Sequence, residues 1–366
     1  MKKVLLFARD PGGANTLIPL YSRLVKSYEV VVYGKDVAVK WFQNEGIPCE
    51  NICDKYREIN LETVGLFLKK IKPDFIITGT SLDDYTERYL WKKAQELGIK
   101  AFAILDQWMN MGIRFSKYNY KQCDLYEQDK EHCYMPYRIF VMDEMAKDII
   151  CKDGIPKERV CVTGQPHFEE IRKRYLESKE VFDRKRWNVL FASEPIIQDY
   201  ENNLDECNYW GFNEKRIFLF LQEALKIVSE KYHQKIRLIV KPHPRENMEA
   251  WREKIEICND ENVEIFCSTT EEKYSLLKSV DLVCGMSSMM LLEAAICEKD
   301  ILSIMIGLKK ENPFILDKLE ICKSCLEKEE LQKLVEECYK ADREKVPFKY
   351  IRNAAEQVIC SIEKEM

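Results

Sequence analysis

The sharpest chemical signal in this sequence is a five-residue run, Lys241-Pro242-His243-Pro244-Arg245, directly after the apolar stretch Leu238–Val240. Two prolines stiffen the segment and hold one imidazole between two cations. Such a trio suits a phosphate leaving group: the cations offset its charge, and the histidine donates a hydrogen bond or a proton as the bond breaks. The plainer alternative is a loop histidine bonded to a carbonyl. The chain has four histidines, and His132, His167 and His233 lack a comparable setting and read as structural. A second run, Cys284-Gly285-Met286-Ser287-Ser288, ends a strand-like segment and opens a helical stretch, Met290–Ala295. Gly285 gives backbone access, and two hydroxyls with the free N–H groups of a first helical turn make an anion site. The alternative here is a serine N-cap on a buried helix. Glu293, farther along that helix, can accept both ribose hydroxyls or be an exposed helix acid. Ser193 and Glu194, at the end of the strand-like Val189–Ala192, join the set. Together these residues describe a phosphate-plus-ribose site in the second half of the chain.

The first half has candidates of its own. The run Arg9-Asp10-Pro11-Gly12-Gly13-Ala14-Asn15-Thr16 follows Val4–Ala8 and opens a helix. Paired glycines let a backbone approach a ligand, and the helix start favours an anion. The run is neither Gly-x-Gly-x-x-Gly nor a P-loop, so it implies no dinucleotide or ATP; a tight turn capped by Asn15 or Thr16 is the plainer reading. Asp106, in Ile104-Leu105-Asp106-Gln107-Trp108, ends a buried strand ahead of aromatic and Met-rich sequence. A carboxylate with restricted solvent can be tuned as a general base, or it can simply cap a turn. Asp83 and Asp84 could be cleft residues, although an Asp pair ahead of a helix more often caps it. No pair of histidines has metal-ligand spacing and no acidic metal motif occurs, so neither metal nor cofactor is expected.

These runs fall at the ends of strand-like segments. Val4–Ala8, Val30–Tyr33, Phe75–Thr78, Ala101–Leu105, Ile139–Met142 and Val160–Thr163 alternate with amphipathic stretches such as Thr16–Lys26, Leu61–Lys70 and Tyr85–Leu97. Val189–Ala192, Arg237–Val240, Val263–Phe266, Leu282–Cys284 and Ile301–Ile306 repeat the pattern, with helical stretches at Glu214–Tyr232, Glu271–Ser279 and Ser288–Cys297. Uninterrupted apolar runs imply strands buried on both faces, hence parallel sheets of the α/β class. We expect two Rossmann-like domains facing across a cleft, 1–175 and 187–340, joined by the polar stretch Glu169–Arg186. The Lys/Glu-rich end is helical in period, and 341–366 is expected to pack back on the body. In such sheets ligands bind outside the carboxyl ends of the strands.

Composition narrows the function. The 366 residues fit about two domains, and 46% hydrophobic with 33% charged residues excludes disorder. A net charge of −5 and the lack of a basic-aromatic stripe exclude a globally basic nucleic-acid binder. The longest uncharged stretch, Pro11–Ser22, is far short of the roughly 18 apolar residues of a membrane span. The start, Met-Lys-Lys and a short apolar run broken by Arg9-Asp10, does not read as a secretion signal. The expectation is a cytoplasmic protein, or one at the inner face of the membrane. Fifteen scattered cysteines, an odd number, read as free thiols in a reducing compartment. Cys322-Lys-Ser-Cys325 lies in a charged stretch of helical period and has no second pair at zinc-finger spacing.

At these residues the chain resembles glycosyltransferases of the GT-B fold, which place the nucleotide on the C-terminal domain and the acceptor towards the N-terminal one. Val162-Thr163-Gly164-Gln165-Pro166 resembles the glycine-containing segment that closes the first domain of that superfamily. His243-Pro244 and Ser287-Ser288 resemble the His-Pro and Ser-Ser motifs of bacterial sialyltransferases and polysialyltransferases, where both hold the phosphate of a CMP-activated sugar. The general base there is an acid of an Asp/Glu-Asp/Glu-Gly motif. Asp106 stands in the expected place, but Leu105-Asp106-Gln107-Trp108 has no second acid and no glycine. Lys241–Pro244 with the serine pair is also similar to glycerophosphotransferases that use CDP-glycerol, although their Asp-Tyr-Ser-Ser differs from Gly285-Met286-Ser287-Ser288. UDP-N-acetylglucosamine 2-epimerases share the fold and the ribose-binding glutamate, with a glycine-rich phosphate loop that this chain lacks.

The resemblance implies an inverting, metal-independent glycosyltransferase that moves a sugar from a CMP- or UDP-linked donor to a glycan or glycolipid hydroxyl. A sialic-acid-like sugar on CMP is the first expectation. Asp106 would be the base. His243, with Lys241, Ser287 and Ser288, would stabilise the departing phosphate, and Glu293 would hold the ribose. Pro244, Arg245, Gly285, Ser193 and Glu194 complete the nucleotide side. Asp10, Gly12, Gly13, Asn15 and Trp108 form the acceptor side. A lipid-linked acceptor would bring peripheral membrane contact, and no nucleic-acid partner is implied. The alternatives are a UDP-N-acetylhexosamine 2-epimerase-like enzyme, a CDP-glycerol-type glycerophosphotransferase, and a nucleotide-binding module without catalysis.

Overall fold

The apolar runs are strands because their side chains are buried on both faces: Val4, Leu5, Leu6 and Phe7, all fully buried, alternate direction along one strand. The structure is a computed structural model and describes residues 1–366 except 202–206, 259–260, 269–270 and 344. It divides into two units, Met1–Glu170 with Tyr350–Met366, and Ile171–Lys349. Among the described residues the first unit has a seven-stranded sheet of β1 (Lys3–Ala8), β2 (Glu29–Gly34), β3 (Glu50–Asn51), β4 (Phe75–Thr78), β5 (Lys100–Ile104), β6 (Arg138–Val141) and β7 (Val160–Val162), in the order β3-β2-β1-β4-β5-β6-β7. The second unit has a five-stranded sheet of β8 (Trp187–Ala192), β9 (Ile236–Lys241), β10 (Val263–Cys267), β11 (Leu282–Gly285) and β12 (Asp300–Ser303), in the order β10-β9-β8-β11-β12. The strand pairs run parallel, with helices as crossovers. Strand order therefore reverses between β1 and β4 in one sheet and between β8 and β11 in the other. These are the places where such sheets open a crevice for a ligand.

The end of the chain belongs to the first unit. In the helix Ala354–Glu365, the buried residues Ala355, Val358 and Ile362 join the core of Leu17, Leu20 and Leu24. Glu365 anchors its end, accepting from Arg138 Nε at 2.9 Å and from the Tyr137 hydroxyl at 2.8 Å. Gly164 lets the returning segment approach: its φ is +85°, and a Cβ there would lie 2.9 Å from the Cβ atoms of Ile351 and Ala354.

Four expectations need correction. The first helix is Pro11–Leu24, with Asp10 at its N-cap and proline in its first turn. Proline is pre-set for that position, so Gly12 and Gly13 lie within the helix and neither Asn15 nor Thr16 caps it. The stretch Glu169–Arg186 is not a bare connector, because the helix Pro166–Glu177 occupies its first half. Cys322–Cys325 is not helical: Ile304 bridges to Cys325 in parallel, Met305 N–H donates to Cys325 O at 2.8 Å, and both thiols are buried. The end of the chain is not continuously helical either, since non-helical backbone separates the helix Lys328–Lys340 from Ala354–Glu365.

Candidate functional site

In the first unit, candidates gather at the carboxyl ends of β1, β4 and β5, which are neighbours in the sheet. Asp106 follows β5 and packs on the first turn of the Pro11–Leu24 helix, so closely that a Cβ on Gly12 would lie 3.0 Å from Asp106 Cγ. Gly13 meets the β4 loop in the same way: a Cβ there would lie 3.1 Å from Gly79 Cα. Arg114, itself buried, reaches Asp106 Oδ1 at 3.1 Å and is held by Thr80 O at 2.7 Å and Thr80 Oγ1 at 3.0 Å. Burial raises the Asp106 carboxyl above the ordinary aspartate value; Arg114 pulls it back and Asp10 adds to the rise. Asp10 pairs with the Arg9 guanidinium, which also reaches Asp36 at 3.2 Å.

The neighbouring acids differ in their partners. Asp84 pairs with Lys35 and accepts from Thr86 N–H at 2.9 Å, a turn just ahead of the helix Thr86–Glu96, whose N-cap position is Tyr85. Asp83 is raised by burial, with Asp10 adding to the effect. Glu87 accepts from Arg9 N–H at 3.2 Å through Oε1, while its buried Oε2 has no hydrogen-bond partner among the described residues. Burial, with Asp10 and Asp84 nearby, pushes this acid up to about 8. Two acceptor-side expectations weaken. Trp108 is buried, stacks on Phe168 and gives its indole N–H to Asp143 at 2.9 Å, so it faces the core. Asn15 Oδ1 is engaged by the Trp41 indole at 2.8 Å.

In the second unit, the loops after β8, β9 and β11 are joined through two carboxylates. Glu246 accepts from the backbone N–H of His243, from Ser193 Oγ at 2.8 Å and from the Trp251 indole at 2.9 Å. Glu194, the next residue after Ser193, accepts from Ser287 N–H at 2.7 Å and Ser287 Oγ at 3.0 Å. His243 and the serine pair thus converge on the end of β8, at the reversal of strand order. Burial lowers the His243 pKa, and the Arg245 charge lowers it further. Its Nδ1 accepts from Arg245 N–H at 3.2 Å, which leaves the proton of the neutral ring on Nε2, a hydrogen-bond donor. Arg245 itself forms a two-pronged pair with Asp199 at 2.7 and 2.8 Å, while Lys241 has no ion-pair partner among the described residues. Pro244 is exposed, and Gly285 lies against β8, where a Cβ would meet Ala192 O at 2.9 Å.

Two details differ from the expected anion seat. Ser288 caps the helix Met289–Ile296 by accepting from Met290 N–H at 3.3 Å, and Glu194 holds the Ser287 donors. Burial raises the Glu194 pKa against the pull of these bonds. Glu293 is neither exposed nor unpaired: it forms an ion pair with Lys273 at 2.7 Å. Sequence reasoning missed Glu246, Asp199, Arg114 and Glu87. Glu246 stands three residues beyond His243, a spacing at which a side chain can return to the loop backbone. The others carry no local signal, because their partners are 8 to 78 residues away in sequence.

Among the described residues no cluster of three His, Cys, Asp or Glu has the geometry to hold a metal ion, and no helix is long and apolar enough to cross a membrane. No protein-family model matches the sequence, and no curated protein does. Solved structures do match. UDP-GlcNAc 2-epimerase from Methanocaldococcus jannaschii is 16% identical with a TM-score of 0.67, and the match covers all of both chains. UDP-GlcNAc 2-epimerase from Neisseria meningitidis, bound to UDP-GlcNAc, is 15% identical with a TM-score of 0.62 over all of both chains. MurG of Acinetobacter baumannii is 14% identical with a TM-score of 0.54, again over all of both chains. At these identities the likeness speaks for the fold, and the fold of this chain, two Rossmann-like units each built on a parallel sheet, is of the GT-B type.

Proposed function

We propose that this chain is a nucleotide-sugar enzyme that acts on a UDP-linked N-acetylhexosamine, in the manner of a 2-epimerase. The observation that carries the reading is the full-length fold likeness to UDP-GlcNAc 2-epimerases, which supports the epimerase alternative better than transfer of a CMP-linked sialic acid. The second unit would hold the nucleotide at the ends of β8, β9 and β11. There the His243 Nε2–H and Lys241 supply a donor and a cation for the diphosphate. The first unit would supply proton transfer. Asp106 is a half-buried carboxyl with a raised pKa, held by Arg114, which suits a general acid-base group that exchanges its proton with solvent. Arg114 would be a positioning residue.

The test is turnover of UDP-GlcNAc in D2O with no acceptor present. Deuterium at C2 and a product of manno configuration are expected. Donor consumption that needs an added hydroxyl acceptor, or a preference for CMP over UDP in calorimetry, would overturn the epimerase reading. That result would favour glycosyl transfer, the reading to which the His243-Pro244 and Ser287-Ser288 motifs lend weight.

A further inference from the structure

At the reversal of strand order between β8 and β11, where a parallel sheet opens its ligand crevice, the chain has placed one of its own carboxylates. Glu194 Oε2 takes the Ser287 N–H at 2.7 Å and Oε1 takes the Ser287 hydroxyl at 3.0 Å. The backbone N–H of Ser288 faces the same group. These donors stand at the start of the helix Met289–Ile296, where the backbone favours negative charge. A phosphate oxygen seeks the same donors in the same geometry, so the carboxylate and a phosphate cannot both hold them. Nor could an ionised Glu194 stay beside a bound phosphate cheaply, since like charges in a half-buried site repel strongly. The surroundings offer little relief. Arg245 is committed to Asp199, and Glu246 adds a second negative charge on the β9 side, held by three donors of its own. His243 is a neutral donor, and Lys241 is the nearby cation without an ion-pair partner among the described residues.

We propose that Glu194 is an internal stand-in for the ligand phosphate: in the free protein it fills the phosphate seat, and binding is an exchange in which phosphate takes the Ser287 donors and the carboxylate leaves them. Glu194 thereby sets the affinity of the site for anions. The proposal rests on the reading of this crevice as the seat of a nucleotide diphosphate, but it can be tested apart from it.

The experiment is calorimetric titration of UDP, inorganic pyrophosphate and uridine into the wild type, Glu194→Gln and Glu194→Ala, with melting temperatures for all three proteins. Glutamine keeps the shape and an acceptor for the Ser287 N–H but removes the competing charge; alanine empties the seat. Both variants are expected to bind UDP and pyrophosphate tenfold or more tightly than the wild type, with uridine unchanged. Equal or weaker UDP binding by both folded variants overturns the exchange and leaves the nucleotide reading standing. Tighter pyrophosphate binding with no gain from the uridine moiety supports the exchange and overturns the nucleotide reading. If no protein binds either anion, both ideas fall. Should one variant fail to fold, the other decides.

Discussion

Gly12→Ala places a methyl group against the Asp106 carboxylate. The new carbon would stand 3.0 Å from Asp106 Cγ and nearer still to Oδ2, inside the separation that real Cβ atoms show. The carboxylate must then move by about 1 Å or more to regain ordinary contact. Arg114 resists that movement, because its own guanidinium is pinned by Thr80 and buried. Overpacking of this kind costs about 1–3 kcal/mol, while alanine in place of glycine within a helix returns up to about 1 kcal/mol. The variant should therefore fold, with a net loss of about 0–3 kcal/mol. Its chemistry should suffer far more, since displacing a reacting group by about 1 Å costs on the order of 10²-fold in rate. The assay is deuterium incorporation at C2 of UDP-GlcNAc by NMR, run beside thermal melting and UDP calorimetry. Turnover should fall to that of Asp106→Asn, while UDP affinity stays at the wild-type value. Wild-type turnover by Gly12→Ala alone would show that the contact does not fix the base. Wild-type turnover by both variants would remove Asp106 from the chemistry.

Three further outcomes are expected. Glu87, raised from 4.5 to about 8, binds its proton more tightly when folded. Its contribution to stability is complete below about pH 4.5 and is lost as pH rises through 8, at about 1.4 kcal/mol per pH unit within that window. Glu87→Gln should escape this loss, so between pH 6 and pH 8 the wild type should lose about 2 kcal/mol more than the variant in denaturant unfolding of the first unit; parallel pH profiles would contradict the raised acid. His243→Ala should weaken UDP binding by roughly 10- to 100-fold, the worth of a hydrogen bond to a charged oxygen; unchanged calorimetry would remove the imidazole from the phosphate site. Ile362→Ala should cost about 2–5 kcal/mol through the cavity it leaves beneath the first sheet, visible as a lower melting temperature, and a neutral result would deny the terminal helix its place in that core.

Most of the strands were legible because each is a short apolar run buried on both faces, a pattern that composition alone displays. Their ends drifted where a polar residue closes a strand, as at Lys241 in β9. The start of the first helix was misread because two glycines and a proline look like a loop, although Pro11 pre-sets the first turn. The candidate loops were legible as well, since His243 and Ser287 stand directly after strands. What surrounds them was not. Glu194, Arg114 and Lys273 act through partners brought close only by the fold. A sequence shows the cations of Lys241–Arg245, but it does not show that Asp199 has already claimed one of them.

The Ala354–Glu365 helix has a consequence for how the protein is made. The first unit is interrupted after Glu170 and resumes only at Tyr350, so its hydrophobic interior lacks Ala355, Val358 and Ile362 until translation has passed them. By then the ribosome has already synthesised the whole insert, whose own sheet needs no later residue. The portion encoded first is thus completed last, and while the insert is being made the core of the first unit lacks these side chains, a stage at which exposed apolar surface is open to chaperones or misfolding.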